Sequence, residues 1–397
     1  MKKLKQSSLI LTIVIISLAA LNRAIIPSTP ISRAAFDPAL ITPTPLPPVN
    51  PTPFGGPIVV GTPLPTPELS PNAINPTNAL QLIETTPISG SHSVGISELH
   101  FTDDGLHLVA VWDDLKVWQF PDANIIHSIS LTGTSWTPFT LSPDGQIAAL
   151  GNHENLGWVE LWNITTKQRA RQHQGGQQVR ALDFNATGTL LAANRVDGSV
   201  TVWDVETGHL RHQLQNGWNC YGMAFHPELD QIAASATGNT IHIWDAWSGI
   251  LLDELTMPNP PALCQLSSIA YRPDGQMIAA AMFWEHSIAL WEGNTFVGTL
   301  THPDAGTIWQ IGWSPDGQLL AAIENGDSQG PRLVLWDVAN QNVIDVWEQW
   351  RSVAAFSPDG ASLVTYTRGA TESHLGFLTL PSQLIPMHYL YFPVIYN

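Results

Sequence analysis

One short signal recurs seven times along this chain. A large apolar residue is followed at once by a tight-turn tetrad. The copies are Phe101 before Thr102-Asp-Asp-Gly, Leu141 before Ser142-Pro-Asp-Gly, Phe184 before Asn185-Ala-Thr-Gly and Phe225 before His226-Pro-Glu. Tyr271 before Arg272-Pro-Asp-Gly, Trp313 before Ser314-Pro-Asp-Gly and Phe356 before Ser357-Pro-Asp-Gly complete the set. The turns start at 102, 142, 185, 226, 272, 314 and 357, so the period is about 40 to 46 residues. The composition of the turn has a mechanical reason. Pro presets φ at the second position, Asp bonds to nearby backbone, and Gly supplies the positive φ that closes a hairpin.

Each turn leads into a run of small apolar residues, such as Gln146-Ile-Ala-Ala-Leu or Gln318-Leu-Leu-Ala-Ala. Ala is a poor strand former in isolation, but it suits a strand buried on both faces between close-packed sheets. A loop follows, then a third strand ending in an aromatic: Trp118, Trp162, Trp203-Asp204, Trp244-Asp245, Trp291 and Trp336-Asp337. In the seventh unit Phe377 is expected at the Trp position. A fourth strand follows, for example Val343 to Trp347.

The Trp-Asp ends, the Ser-Pro-Asp-Gly turns and the spacing resemble the WD-repeat family, over about residues 74–383. The resemblance implies an all-β, seven-bladed β-propeller of four-stranded antiparallel blades. The Gly-His pair that usually opens such a repeat is absent. The Asp before the third strand survives as Asp197 but is Asn239 and His286 elsewhere. The buried polar network of the family is therefore expected to be incomplete, with blade packing resting more on apolar contact. The seventh unit lacks a fourth strand. Ala79 to Ile83 is expected to supply it by pairing with Leu375 to Leu380. The rival for that place is the run from Tyr389 to Tyr396.

Lys2, Lys3 and Lys5 precede an apolar run from Leu9 to Leu21. A basic segment before a short apolar one reads as a secretory signal, and residues 1–25 are taken as a signal peptide or an uncleaved signal anchor. That anchor would be the chain's one link to a membrane. Residues 26–71 are dense in Pro and Thr, and Pro removes backbone donors, so they read as an extended, solvated, disordered linker. Residues 72–383 form the propeller. Residues 384–397 form an aromatic tail whose ending resembles short aromatic-proline termini of some exported bacterial proteins. The expected location is extracytoplasmic, either secreted or attached to the envelope. Cys220 and Cys264, the two cysteines present, are expected to form a disulfide in such an oxidising compartment.

The formal charge of −17 argues against a nucleic-acid partner. In WD-repeat propellers partners often dock on the face formed by loops entering the innermost strands and loops joining strands two and three. Trp136, Trp218, Tyr221, Trp309 and Trp350 precede or begin innermost strands here, and Trp112, Trp158 and Trp284 fall in or beside the second kind of loop. Arg180 and Arg351 are expected near the channel mouth, with Asp113, Asp114, Glu154 and Glu285 around them. Trp, Tyr and Arg together have the composition of interface hot spots, so the leading expectation is a binding or scaffold module for a protein or glycan. No catalytic constellation, cofactor motif or metal-type spacing stands out. Ser142-Pro-Asp-Gly lacks the spacing of a sialidase Asp box, and Asp204-Val-Glu-Thr-Gly matches only part of a quinoprotein repeat. Two other readings stay open: a propeller enzyme, hydrolase or quinone-type oxidoreductase, with a site at the channel mouth near His153 and Glu154, and a structural envelope protein assembled through its tail.

Overall fold

The computed structural model describes residues 58–380, apart from 91–95, 97, 112–113, 123, 132–135, 153–156, 174–175, 218–220, 259–264, 327–329, 349 and 369–372. The signal segment, residues 26–57 of the linker, both cysteines and the aromatic tail lie outside the described residues.

The turns fold as their composition dictates. In Ser142-Pro-Asp-Gly the Gly145 N–H bonds the Ser142 carbonyl at 2.8 Å. The Asp144 carboxylate accepts the Gln146 N–H at 3.0 Å, and the Ser142 hydroxyl accepts the Ile147 N–H at 2.9 Å. Gly145 has φ 67°, a conformation only glycine adopts freely. Ser314–Asp316 and Ser357–Asp359 repeat the same bonds. Each turn hands the chain from an innermost strand to a second strand, and third and fourth strands follow in an antiparallel meander.

The result is seven four-stranded sheets. Blades 1 to 6 span 98–130, 136–173, 179–215, 223–255, 266–300 and 308–347; blade 7 is built from 351–379 plus an outer strand at 83–90. Neighbouring innermost strands touch one another, and the innermost strand of blade 7 touches that of blade 1, closing the ring. Seven apolar clusters, one at each junction between blades, form the core. The small second strands fit there: Ala148, Ala149, Ala192, Ala193, Ala279 and Ala280 are all fully buried.

Closure from the N-terminal side is as expected, but the strand lies later in the chain. Ile83–Gly90 pairs with Ser373–Thr379, beginning at Ile83 opposite Thr379. Ala79–Gln81 is instead a turn of 3-10 helix. Local side-chain bonds outcompete the strand there: the Asn78 side chain accepts the Asn75 N–H at 2.8 Å, and that of Asn75 accepts the Thr77 N–H at 2.9 Å. The seventh aromatic also differs from expectation. Register sets Leu363 opposite Leu378, as Leu320 is set opposite Trp336, so Leu378 and not Phe377 holds the Trp position. A shift of one residue turns a side chain to the other face of a sheet. Phe377 accordingly packs against blade 1, beside Trp118, while Leu378 packs against blade 6.

The end of the Pro-rich linker is not a solvated spacer. Residues 58–74 run as a strap across the face formed by the tight turns. The Ile58 N–H approaches the Glu206 carbonyl at 3.4 Å, and the Leu64 N–H bonds the Pro143 carbonyl at 2.8 Å. The Ser70 and Ile74 N–H groups bond the Asp359 and Gly360 carbonyls at 2.8 and 2.9 Å. The Gly61 N–H bonds the Asp144 carboxylate at 2.8 Å. Pro residues leave donors only at intervals, and those donors reach the turn carbonyls and carboxylate of blades 2, 3 and 7. Ile58 and Ile74 are buried at the 2/3 and 6/7 junctions.

Candidate functional site

In an antiparallel meander, the loops joining strands two and three share one end of the blade with the loops that enter the next innermost strand. This loop face is opposite the strap. Of the aromatics assigned to it, three present large exposed indoles in consecutive blades: Trp284 at 58% exposure in blade 5, Trp309 at 45% in blade 6 and Trp350 at 36% entering blade 7.

Irregular pairing explains how they are aimed. The innermost strands of blades 3, 5 and 6 carry a bulge near the loop face, where one residue drops out of the ladder. In blade 6 the bulged residue is Trp309, between Ile308 and Gln310. In blade 3 it is Arg180, between Val179 and Ala181. In blade 5 it is Ser267, whose hydroxyl donates to the Ile308 carbonyl of the next blade at 2.7 Å. A small polar residue at a bulge thus fastens two blades together, whereas at the same bulge Trp309 is exposed and Arg180 is half-buried. The Arg180 guanidinium lies 4.6 Å from the centre of the half-buried Tyr221 ring, a cation–π geometry. Trp350 lies flat on Gly330, where any side chain would collide with its ring, and Arg368 stands 5.2 Å from that ring.

The remaining candidates fall differently. Trp158 is half-buried, and its indole N–H is buried with no partner among the described residues. Trp136 opens the innermost strand of blade 2, but its side chain is outside the described residues, as are Trp112, Trp218, Asp113, His153 and Glu154. Asp114 is half-buried and Glu285 is exposed. Arg351 is a correction. It is 1% exposed, not a free charge at the mouth. Its guanidinium pairs with Glu84 of the closing strand at 2.8 Å and donates to the hydroxyls of Thr365 and Thr367. A buried guanidinium needs such partners, and residues of the same blade supply them.

The groups that support the repeated Trp residues escaped sequence reasoning. His173 stacks on Trp203 with ring centres 4.9 Å apart. Burial, helped by Arg171 and Arg195, lowers its pKa to about 3, so it stays neutral. The side-chain oxygen of Asn216 accepts the Trp244 indole N–H at 2.8 Å. His302 lies 5.7 Å from Trp336 and 3.1 Å from Glu324, which in turn pairs with the buried Arg332. All three follow the end of the preceding blade's outer strand, or form its last residue. That position was the available signal, hidden because no Gly precedes either His. The polar support is therefore irregular rather than confined to apolar contact. On an innermost strand, Asp183 accepts the Phe225 N–H of the next blade at 2.7 Å, and burial raises its pKa to about 6.

Residues 139–220 match the family described as the anaphase-promoting complex subunit 4 WD40 domain. Residues 207–245 and 294–337 match the WD domain, G-beta repeat. The chain is thus a seven-bladed β-propeller, and over these residues its blades are similar to those of the WD-repeat family. No curated protein matches it. Among the described residues, no group of three or more His, Cys, Asp or Glu could hold a metal ion, and no helix is long and apolar enough to cross a membrane.

Proposed function

We propose that this chain is a non-enzymatic binding module that works outside the cytoplasm and recognises a protein or glycan partner through its loop face. The observation that carries the reading is the set of exposed indoles on one face, Trp284, Trp309 and Trp350, in three consecutive blades. Indoles combine a large apolar area with low side-chain entropy and are over-represented among residues that dominate binding energy. The export reading rests on the basic and apolar N-terminal segment. In an oxidising compartment Cys220 and Cys264, which precede the innermost strands of adjacent blades, would join.

The test is a triple variant, W284A/W309A/W350A, compared with the parent in capture from envelope extracts and on glycan arrays. Binding should fall at least about tenfold while the melting temperature stays within a few degrees, since each indole is already partly in water. Retained binding by a folded triple variant removes the loop-face reading.

A further inference from the structure

The seven junctions are copies of one another, so what fills one shows what fits another. At the 2/3 junction Ile58 and Val60 of the strap pack against Ile147, Leu161, Ala170 and Val205. The repeat puts Met277, Leu290, Val297 and Val338 in those four places at the 5/6 junction. Met277 and Ile147 each stand five residues after a turn start, and Val338 and Val205 each stand two after the Trp. Val297 and Ala170 are the bulged residues of their outer strands, and Leu290 and Leu161 occupy one register position. These four residues of the 5/6 junction are the apolar part of the lining of a groove of about 580 Å³, which Arg272, Asp274, Glu292 and Asp316 also line. Ile147, beneath the strap, is 4% exposed whereas its counterpart Met277 is half-buried, and Ala170 is half-buried whereas its counterpart Val297 is 39% exposed. The 3/4 and 4/5 junctions are unlike these two. At 3/4 the bulged residue is Arg211, covered by Trp247 of the next blade at 3.9 Å. At 4/5, Gln231 and Gly293 stand where Ile147 and Val205 do.

The chain itself holds a segment suited to the groove. Leu380 follows Leu378 by two residues, which places it at the 6/7 junction as Val338 is placed at 5/6, and it is buried. The chain thus reaches the turn face at Leu380, one junction from the groove, and residues 381–397 follow it in sequence. They carry no Lys, Arg, Asp or Glu. The strap crosses three junctions between Ile58 and Ile74, about five residues per junction, as suits extended chain bridging neighbouring blades. At the same pitch beyond Leu380, Leu384-Ile385-Pro386 would reach the groove. That apolar pair beside a proline is similar to Pro57-Ile58-Val59-Val60 of the strap.

We propose that Leu384 and Ile385 dock in the groove between blades 5 and 6, continuing with the C-terminal segment the cover that the strap begins. Tethering gives such a segment an effective concentration in the millimolar range, so an apolar contact of modest strength holds it. This assignment is independent of what the loop face binds.

The full chain carrying benzoylphenylalanine in place of Ile385 tests it by irradiation and peptide mapping. The expected product is an intramolecular cross-link to Met277 or to the peptide containing Val338. Its yield should fall about tenfold in V297K, which places a charge at an already exposed position and spares the fold. A second measurement follows methyl-labelled Met resonances in the full chain and in a chain ending at Gln383. The Met277 methyl should shift between the two, while those of Met223 and Met257 should not. Cross-links to another junction or to the loop face overturn the proposal. So do a product of dimer size, which would make a second copy the occupant, and an unmoved Met277 signal.

Discussion

The ion pair that latches the ring invites the sharpest test. Glu84 sits on the outer strand of blade 7 and Arg351 on its innermost strand, so their side chains must cross the sheet to meet. Gly376 makes the crossing feasible, because a Cβ there would overlap the Glu84 carboxylate. Replacing Glu84 with Gln leaves a guanidinium that is 2% exposed with only neutral acceptors, the Thr365 and Thr367 hydroxyls and the new amide, in place of its counter-charge. Removing one partner of a fully buried pair costs about 3–5 kcal/mol. Glu84 is 27% exposed and also touches His374 at 3.2 Å, so water and that imidazole absorb part of the cost. We expect E84Q to lose about 2 kcal/mol, which for a domain of this size lowers the melting temperature by about 4 °C. G376A should lose a similar amount with every charge retained. The double variant E84Q/R351M should recover at least about 1 kcal/mol relative to the sum of its singles, because an apolar replacement removes the stranded charge. Calorimetry at low salt and pH 7 reads the parent, E84Q, R351M, G376A and the double variant. If E84Q and G376A both melt within a degree of the parent, the latch contributes nothing and the reasoning fails.

Two further outcomes follow from buried groups. The pKa of His173 is lowered from the ordinary value near 6.5 to about 3. Its contribution to stability is therefore complete above pH 6.5 and is lost as pH falls toward 3, by up to about 1.4 kcal/mol per pH unit. H173Q should be less stable than the parent at pH 7 yet show a flatter decline between pH 6 and 4, read from urea midpoints; parallel pH profiles would contradict this. In I58D a carboxylate enters the 2/3 junction. Amides of residues 58–64 should exchange with solvent at least about tenfold faster while blade interiors keep their protection, and unchanged exchange would mean that the strap is not held by Ile58.

The repeat was readable because each of its marks is local. A Pro-Asp-Gly turn, an Ala-rich strand and a terminal Trp each answer to neighbours a few residues away, and seven in phase define the ring. What escaped notice depends on partners distant in sequence. Arg351 looks like a loop-face charge until Glu84 arrives from the other end of the domain. The extended character of residues 58–71 was readable from their prolines, but not the turn carbonyls that receive their few N–H groups. The displacement of the closing strand came from Asn75 and Asn78, whose side-chain bonds give the backbone an alternative to pairing. On the loop face, nothing local in the sequence hints that bulges set the direction of Trp309 and Arg180. His173 and Asn216 escaped because the expected support for each Trp had a fixed motif, whereas the space beside the ring accepts any group of suitable size and polarity.

The order of synthesis gives the last blade a particular position. Residues 83–90 leave the ribosome among the first of the folded part, yet their partner, 373–379, is among the last. Blades 1 to 6 each contain all their own strands and can form as they appear, whereas the sheet that joins the two ends must wait for nearly the whole chain. Until then an unpaired edge remains on each side of the gap, and long-range pairing of this kind is the slow step of a fold. A chain with this arrangement cannot close its ring until its synthesis is almost complete.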